Sequence, residues 1–461
     1  MQQIFEAINQ VFTFIGPLSD FLWDFPTNFA WYQNIPILGN FSLAVILLLG
    51  SGIFFTFKLG FIQITQFKKG VKLIAQRKHA AVGISSGAAF FLSTAMRVGP
   101  GNIVGVTGAI AVGGPGALFW MWVSSLLGMM TVFAENLLAA KHRGAPGALG
   151  YIEKAGRFGK KLAALYAAGC FLSSLGMGNM AQTNAAAAAF SEFGVPVYVS
   201  AGLISVLMLF VARGGLRFAV KITEKLVPAM TLLFFAASLG VLWVFRDNLP
   251  GAFRQIFEGA FSLRAGAGGT AGMLLAMKTG VSRGVFTNEA GLGSAAFAYE
   301  EVQGKSPVEL GCMGIFQVFV DTIVMCTVTG LCILCCRSPM LEGAQLTFFA
   351  YEGALGEWGG RAVSLCTALF ALATPLAWCC YGREGLFYLT GGKGKNLFAA
   401  VYAAAAFLGC VLPLTAVFQI GDAFNGLMAI PNVLALFYFS GEVPRECARE
   451  RTLMRKAIHS A

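Results

Sequence analysis

Charged residues are scarce in this sequence. Asp, Glu, Lys and Arg make up 12% of its 461 residues, whereas a soluble domain usually carries about 25%. Hydrophobic residues make up 57% and the mean hydropathy is +0.70, so too little polar surface exists to cover a water-soluble globule. This excludes a disordered chain, a fibrous repeat and a nucleic-acid reader. Apolar runs recur from Phe41 to Tyr438, and we expect an all-α polytopic membrane protein.

Side chains typical of enzyme active sites are also few. The three histidines, His79, His142 and His459, all fall outside the apolar runs. Neither an H-E-x-x-H motif nor a zinc-type cysteine spacing occurs, and no paired aspartates stand in the apolar runs. We therefore expect neither catalysis nor an organic cofactor.

Eleven apolar runs approach the roughly 20 residues that a membrane-spanning helix needs. They are centred near residues 52, 98, 127, 175, 205, 236, 281, 321, 371, 405 and 429. The predicted divisions begin with an extracytoplasmic or interfacial amphipathic segment at 1–40 and an extra N-terminal transmembrane helix at 41–63. Two five-helix halves follow at 84–246 and 268–440, and a basic cytoplasmic tail occupies 441–461.

The distribution of Lys and Arg predicts the orientation. None precedes Lys58, and the first loop then holds Lys58, Lys68, Lys69, Lys72, Arg77 and Lys78. Alternate loops and the tail carry most of the others, whereas the intervening loops hold only Arg246, Arg254, Arg264, Arg337 and Arg361. Basic loops lie in the cytoplasm by the positive-inside bias, so we expect the N-terminus outside and the C-terminus inside. The net charge of +11 is then a topology signal, with a contribution from anionic lipid headgroups.

Two apolar runs contain glycine-rich clusters that should interrupt a helix. The first is RVGPGN at 97–102 and the second is TNEAGLGS at 287–294. Pro100 lacks an N–H, and each helical glycine costs about 1 kcal/mol relative to alanine. Backbone groups released by a break cannot face lipid, so the breaks should line a polar cavity, as the paired discontinuous helices of an inverted repeat do. The alternative, that both clusters are close-packing kinks, leaves Asn288 and Glu289 unexplained.

Other polar residues inside the apolar runs are candidates for the same site. Asn179 and Gln182 are three residues apart and share a helix face, either beside the break or in interhelical hydrogen bonds. Thr374 precedes Pro375, and a hydroxyl with freed carbonyls suits a hard cation such as Na⁺. Trp378, four residues after Thr374, is either a lid or core packing.

Two acidic residues also fall inside apolar runs. Glu135 and Asp321 are candidates for carrying protons. The alternative that we favour is structural pairing, in which each binds an intramembrane cation such as Arg97, Lys278 or Arg283 and fixes helix register.

Several of these stretches together resemble the alanine/glycine:cation symporter family of amino-acid carriers. They are GPGNIVGV (99–106), GGPGALFWMWV (113–123), the Phe133-Ala134-Glu135 helix end, Gly178-Asn179-Met180, RGVFTNEAGLGS (283–294), Asp321-Thr322 and Trp378 with Tyr381-Gly382. The resemblance extends from about residue 40 to 440. It implies a leucine-transporter-like fold of 11 transmembrane helices, with a five-plus-five inverted repeat, one extra N-terminal helix and two discontinuous helices.

The resemblance also implies a function and a set of site residues. It implies Na⁺-coupled uptake of a small neutral amino acid, with the backbone N–H groups of the first break binding the substrate carboxylate and Thr374 facing the amine or the ion, together with carbonyls of that break. The implied substrate-binding residues are Ala95, Met96, Gly99, Gly101, Asn102, Asn179, Gln182, Phe286, Asn288, Thr374 and Trp378.

The sequence departs from the family pattern beside the first break. Ala88 and Leu92 stand where relatives often have Gln and Thr, and Pro100 replaces a usual Thr or Ser.

Three functional hypotheses stand at this point: a Na⁺-coupled symporter of alanine or glycine, a proton-coupled amino-acid carrier, and a non-transporting membrane sensor with the same fold. The short loops suit the plasma (cell inner) membrane.

Overall fold

The computed structural model describes residues 24–35, 38–75, 84–261, 269–336 and 344–459, together with positions 17 and 21. Within these ranges the regular structure is helical, and a single parallel bridge joins Ile84 to Val302. The chain is therefore all-α over its described part. Most of the predicted amphipathic segment 1–40 lies outside the described residues.

The first helices precede the two predicted halves. They are α1 (Ala30–Gln33), α2 (Leu43–Lys58), α3 (Ile62–Thr65) and α4 (Phe67–Ala75). Helix α2 corresponds to the predicted extra N-terminal span. Its Ser51 hydroxyl hydrogen-bonds the Thr131 hydroxyl at 2.9 Å, so α2 packs on the helix that carries Glu135.

The range predicted as the first half, 84–246, contains seven α-helices, and an eighth lies between it and the second half. They are α5 (Ser86–Arg97), α6 (Val104–Gly113), α7 (Gly116–Lys141), α8 (Ala148–Glu153), α9 (Gly159–Leu175), α10 (Ala181–Ser191), α11 (Val197–Val244) and α12 (Leu249–Phe261). Helix α5 begins where the Ser85 hydroxyl accepts the Ala88 N–H at 3.0 Å, a standard N-cap. A π-helical segment, Gly176–Met180, joins α9 to α10.

The remaining helices lie in the second half and the tail. They are α13 (Gly269–Asn288), α14 (Ala296–Glu300), α15 (Pro307–Val318), α16 (Thr327–Cys335), α17 (Ala344–Leu355), α18 (Glu357–Thr390), α19 (Lys395–Val411), α20 (Leu414–Tyr438) and α21 (Glu442–His459). A capping box of Ser306 and Glu309 starts α15. A second π-helical segment, Phe319–Cys326, joins α15 to α16.

Six helical stretches of the described chain are long and apolar enough to cross a membrane. They are Gly116–Lys141, Gly159–Ser191, Val197–Val244, Pro307–Cys335, Glu357–Thr390 and Gln419–Tyr438, and shorter apolar helices lie at Leu43–Lys58, Pro100–Gly113 and Lys395–Val411. Each predicted centre falls in a helix or, near residue 98, at its interruption.

The connection between the predicted spans centred at 205 and 236 is a turn at one residue, Gly215, and not the loop expected from the basic residues there. The range α11 consists of two helical segments on either side of Gly215, one through each centre, since 48 residues in one straight helix would extend about 72 Å, far more than the ~30 Å hydrocarbon core. Only Gly215 leaves the helical conformation, with φ at +74°. One glycine thus replaces a loop, because it can adopt the left-handed backbone that redirects the chain.

Candidate functional site

The two predicted interruptions are confirmed. Helix α5 ends at Arg97, a 3₁₀ turn spans Pro100–Asn102, and α6 begins at Val104. Helix α13 ends at Asn288, and helical structure resumes at Ala296. In the second break Gly291 and Gly293 have φ of +93° and +69°, and Glu289 adopts the left-handed region at +51°, which is uncommon for a residue with a Cβ.

Glu135 from α7 holds the second break in place. Its Oε1 accepts the backbone N–H groups of Gly291 at 2.9 Å and Gly293 at 3.0 Å, and the Asn432 amide at 2.7 Å. Asn432 also donates to the Gly291 carbonyl at 2.8 Å, and the Tyr166 hydroxyl donates to the Leu292 carbonyl at 2.8 Å. The backbone groups released by the break are thus satisfied by side chains of α7, α9 and α20, as a non-helical segment away from water requires.

Asn102 holds the first break in a comparable way. Its Oδ1 accepts the Gly99 N–H at 3.0 Å, while its amide donates to both the carboxylate and the backbone carbonyl of Asp321 at 2.9 Å. Thr322 donates to the other Asp321 oxygen at 2.8 Å. The break is therefore fastened to the π-helical segment between α15 and α16.

The favoured pairing of Glu135 and Asp321 with basic side chains is wrong. Within the described ranges, neither carboxylate lies within 4.0 Å of a basic nitrogen. Their oxygens bind the backbone and amide donors beside the breaks instead. Arg97 pairs with Glu289 of the second break, its Nε lying 3.9 Å from Oε2.

A small cavity of about 20 Å³ lies between the two breaks, large enough for about one water. It is lined by Met96, Arg97, Gly99, Gly101, Met177, Gln182, Phe286, Thr287, Glu289, Trp378 and Asn425. A middle cavity of about 230 Å³ adjoins it and shares Gly101, Met177, Gln182 and Phe286. A large cavity of about 470 Å³ shares Gly108, Arg283 and Phe286 with the middle one, so a row of cavities follows α6 and α13 to the breaks.

The predicted site residues divide into two groups. Those that line the small cavity are Met96, Gly99, Gly101, Gln182, Phe286 and Trp378. Those outside its lining are Ala95, Asn102, Asn179, Asn288 and Thr374, all of them buried. The Asn179 amide donates to the Tyr402 carbonyl at 2.7 Å, and Asn288 Oδ1 accepts the Ala290 N–H at 3.0 Å. These two asparagines thus bond α19 and the second break, respectively.

Thr374 and Trp378 bring α18 against both breaks. A Cβ built on Gly99 would lie 2.9 Å from Thr374 Oγ1 and 3.2 Å from Gln182 Oε1, so a larger residue would require these side chains to shift. The Thr374 hydroxyl donates to the Phe370 carbonyl at 3.1 Å, and its lone pairs stay available to a cation. Trp378 packs on Gly178 of the first π-helical segment and lines the small cavity together with Glu289. Trp378 therefore packs in the core and also forms part of the cavity wall.

Sequence reasoning missed several cavity residues. Arg97 was recognised only as an intramembrane cation, and Met177 and Asn425 were not considered. Asn425 is a polar side chain in an apolar helix, seven residues before Asn432 on the same face, and this signal would have identified it. Met177 carries no such signal, because methionine is common in apolar helices.

Comparison with known proteins identifies the family. A model of the sodium:alanine symporter family matches residues 28–456. The chain belongs to the sodium:alanine symporter family. It is similar to the sodium/alanine symporter AgcS of Methanococcus maripaludis, with 38% identity over 423 residues, 87% of this chain and 92% of that protein. It is also similar to the amino-acid carrier protein AlsT of Bacillus subtilis, with 32% identity over 432 residues, 91% of this chain and 92% of the relative.

Solved structures share the fold of this symporter-family chain. MhsT in complex with L-phenylalanine superposes with a TM-score of 0.55 at 17% identity, covering 78% of this chain and 90% of that one. A manganese transporter of Eremococcus coleocola gives 0.51 at 13% identity, covering 78% and 80%. The fold is thus of the leucine-transporter type. The chain is a multi-pass membrane transporter and not an enzyme.

Proposed function

We propose that this chain is a secondary active transporter that couples Na⁺ entry to uptake of a small neutral amino acid of the alanine and glycine class by alternating access. The observation that carries the proposal is the small polar cavity between two interrupted helices, reached through the middle and large cavities. Substrate sites of transporters with discontinuous helices lie at such interruptions.

The proposed architecture has eleven spans, with five in each of the ranges 84–246 and 268–440 after an extra N-terminal span at 41–63. Two features support the inverted repeat. The second predicted span of each half carries an acidic residue, Glu135 or Asp321, and each binds the break of the other half, Asp321 through Asn102. Five spans is an odd number, so successive halves enter the membrane from opposite sides.

The proposed orientation has the N-terminus outside and the tail 441–461 in the cytoplasm of the plasma membrane. Three segments predicted to be cytoplasmic contact the tail helix α21, which supports this. Lys69 Nζ lies 2.6 Å from Glu450, Lys141 Nζ lies 2.7 Å from Glu442, and Ser306 hydrogen-bonds Glu450.

In the proposed site the amino acid occupies the space between the breaks. Gly99, Gly101 and Met96 form one side, Gln182 and Phe286 the next, and Trp378 the wall. Na⁺ would bind the Thr374 hydroxyl with carbonyls of the first break, since hard cations prefer oxygen ligands. Ala95, Asn102, Asn179 and Asn288 would hold this framework rather than touch the cargo. Each Na⁺ entering down the membrane potential supplies about 2.3 kcal/mol per 100 mV.

Uptake by proteoliposomes tests the proposal. An inward Na⁺ gradient should drive accumulation of radiolabelled alanine or glycine, and replacing Na⁺ by choline under a pH gradient should abolish it. Persistence of uptake in choline would identify a proton-coupled carrier instead. Binding of alanine without accumulation would identify a sensor. Protein-free vesicles provide the control.

A further inference from the structure

Arg97 is a buried cation whose hydrogen-bonding capacity is unused. Its side chain is 0% exposed and lines the small cavity. None of its three guanidinium nitrogens has a hydrogen-bond partner in the described part of the chain. A guanidinium offers five N–H donors in a fixed fork, and burying it without partners is unfavourable. The side chain is therefore positioned to receive an anion.

The surrounding carboxylates do not fill this role. Glu289 is the acidic group nearest to Arg97, but 3.9 Å between Nε and Oε2 is too long for a hydrogen bond. The same Oε2 accepts the Ser294 hydroxyl at 2.6 Å. Glu135 and Asp321 are committed to the breaks through the Gly291 N–H and the Asn102 amide.

The backbone of the first break offers few donors to a carboxylate. The Gly99 N–H is bonded to Asn102 Oδ1, the Val98 N–H to the Thr94 carbonyl, and Pro100 has no N–H. The sequence expectation was that backbone N–H groups of this break bind the substrate carboxylate, and Gly101 of the turn lines the small cavity. The guanidinium of Arg97 adjoins the same turn and adds its donors to the backbone ones.

Unused acceptors also line the small cavity. Gln182 Oε1 and Asn425 Oδ1 have no hydrogen-bond partner among the described residues, and Glu289 adds a negative charge. The cavity thus presents donors on Arg97 and acceptors on Glu289, Gln182 and Asn425. This pattern complements a zwitterion, with a carboxylate toward Arg97 and an ammonium toward the acceptors.

We propose that the α-carboxylate of the cargo binds the Arg97 guanidinium and its α-ammonium binds Glu289, so that the head group of the amino acid inserts into this ion pair. The inference rests on the proposed function. Insertion of a zwitterion preserves the net charge of the buried site and pairs both protein charges, which either a lone amine or a lone carboxylate would not do. A planar guanidinium also binds a carboxylate through two parallel hydrogen bonds, which a lysine cannot reproduce.

The middle cavity then accommodates the side chain of the cargo. Val104, Ala181 and Ala185 give it apolar surface, and Phe286 and Met177 border both it and the small cavity. Because the small cavity holds only about one water, Phe286 or Met177 must move when the head group enters. The arrangement selects an amino acid with an apolar side chain.

Equilibrium binding to the purified full-length chain in Na⁺ tests this assignment. Alanine is compared with alaninamide, which keeps the amine and lacks the carboxylate, and with propionate, which lacks the amine. Wild type should prefer alanine over alaninamide by about 10- to 100-fold, since hydrogen bonds to charged groups have that strength. In Arg97→Gln the ratio of the affinities for alanine and alaninamide should fall to about one, and Arg97→Lys should restore only part of the wild-type ratio. Arg361→Gln, on an exposed ion pair, is the matched control and should behave as wild type.

A double variant keeps the test decisive if Arg97→Gln fails to fold. Arg97→Gln with Glu289→Gln removes both charges and leaves neither unpaired. It should melt as a folded protein and bind alanine and alaninamide about equally. A folded variant that retains the wild-type preference overturns the assignment of Arg97, even if alanine uptake is intact. If wild type neither binds nor accumulates any amino acid, the proposed function itself is wrong.

Discussion

The Glu135 carboxylate of α7 accepts the backbone N–H of Gly291 at 2.9 Å, across 156 residues of sequence. The same oxygen binds the Gly293 N–H, so one side chain satisfies two of the donors that the second break releases. Asp321 acts on the first break through Asn102. Each interruption is therefore held by an acidic residue of the other predicted half, and the site depends on contacts between these two ranges of the chain.

Replacing Glu135 tests this bond directly. Glu135→Ala leaves the N–H groups of Gly291 and Gly293 without an acceptor, and each buried orphan costs about 1–3 kcal/mol. We expect a loss of about 3 kcal/mol in stability, and faster hydrogen exchange at 289–295. Glu135→Gln keeps one carbonyl oxygen and should lose less. Thermal melting in detergent measures the stability, and hydrogen-exchange mass spectrometry measures the exchange at 289–295. Equal stability and equal exchange in the two variants would mean that the Glu135 side chain does not act as the acceptor for these N–H groups.

Gly99→Ala tests the fit between the first break and α18. The new methyl carbon would lie 2.9 Å from Thr374 Oγ1 and 3.2 Å from Gln182 Oε1, closer than a Cβ normally approaches a neighbouring atom. We expect alanine uptake to fall by about tenfold or more, the cost of overpacking being about 1–3 kcal/mol. Gly202→Ala, where the methyl would meet nothing within 4 Å, is the control. Unchanged uptake in Gly99→Ala would mean that this contact does not shape the site.

Thr374→Ala tests the proposed Na⁺ ligand. Loss of one oxygen ligand should raise the Na⁺ concentration for half-maximal binding by about tenfold, equivalent to about 1.4 kcal/mol. Thr374→Ser should preserve it. Thr329→Ala is a matched control, because Thr329 is also buried and also donates to the carbonyl four residues earlier, Met325, at 3.2 Å. An ion dependence that is unaltered in Thr374→Ala would exclude Thr374 from the ion site.

The tail helix α21 should detach at acidic pH. Burial raises the pKa of Glu442, but hydrogen bonds and charge contacts with Lys141 and His142 lower it more, so its pKa is below the usual 4.5. A depressed carboxyl pKa stabilises the docked helix above about pH 4.5, and this contribution is lost as pH falls through the lowered pKa. Proteolysis near Arg445 should therefore increase in acid.

A matched pair of variants isolates the Glu442 contribution. Glu442→Gln should raise cleavage near Arg445 at pH 7 and reduce its dependence on pH. Glu258→Gln removes an exposed ion pair with Arg254 on α12 and should leave tail cleavage unchanged. A tail that stays equally protected in wild type from pH 7 down to about pH 2, below both the usual and the lowered pKa, would contradict the account of Glu442.

The main features of the fold could be read from the sequence because they depend on local chemistry. Apolar length located the helices, and Pro100 with the glycines of 291 and 293 located the breaks. The basic residues at 213–225 predicted a connection between two spans, but not that Gly215 alone would form it, since a single glycine in a helix usually stays helical. The partners of Glu135, Asp321 and Arg97 could not be derived, because helical spacing fixes which face a charge occupies but not which neighbouring helix supplies its partner.

The site residues divide in the same way, into those that local sequence predicts and those that depend on contacts between helices. Gly99 and Trp378 were predicted from motif and periodicity, and both line the small cavity. Asn179 lies three residues from Gln182 on nearly the same helix face, yet it bonds Tyr402 while Gln182 reaches the cavity. The π-helical segment Gly176–Met180 alters the register between them, and the sequence gives no direct sign of that segment.

The most direct measurement is a structure of the full-length chain determined with alanine and Na⁺. We expect density for the amino acid between Gly99 and Glu289, against Trp378, with its carboxylate on Arg97. Density elsewhere, or a protein saturated with alanine whose two breaks enclose no cargo, would contradict the central claim that these interruptions form the transport site.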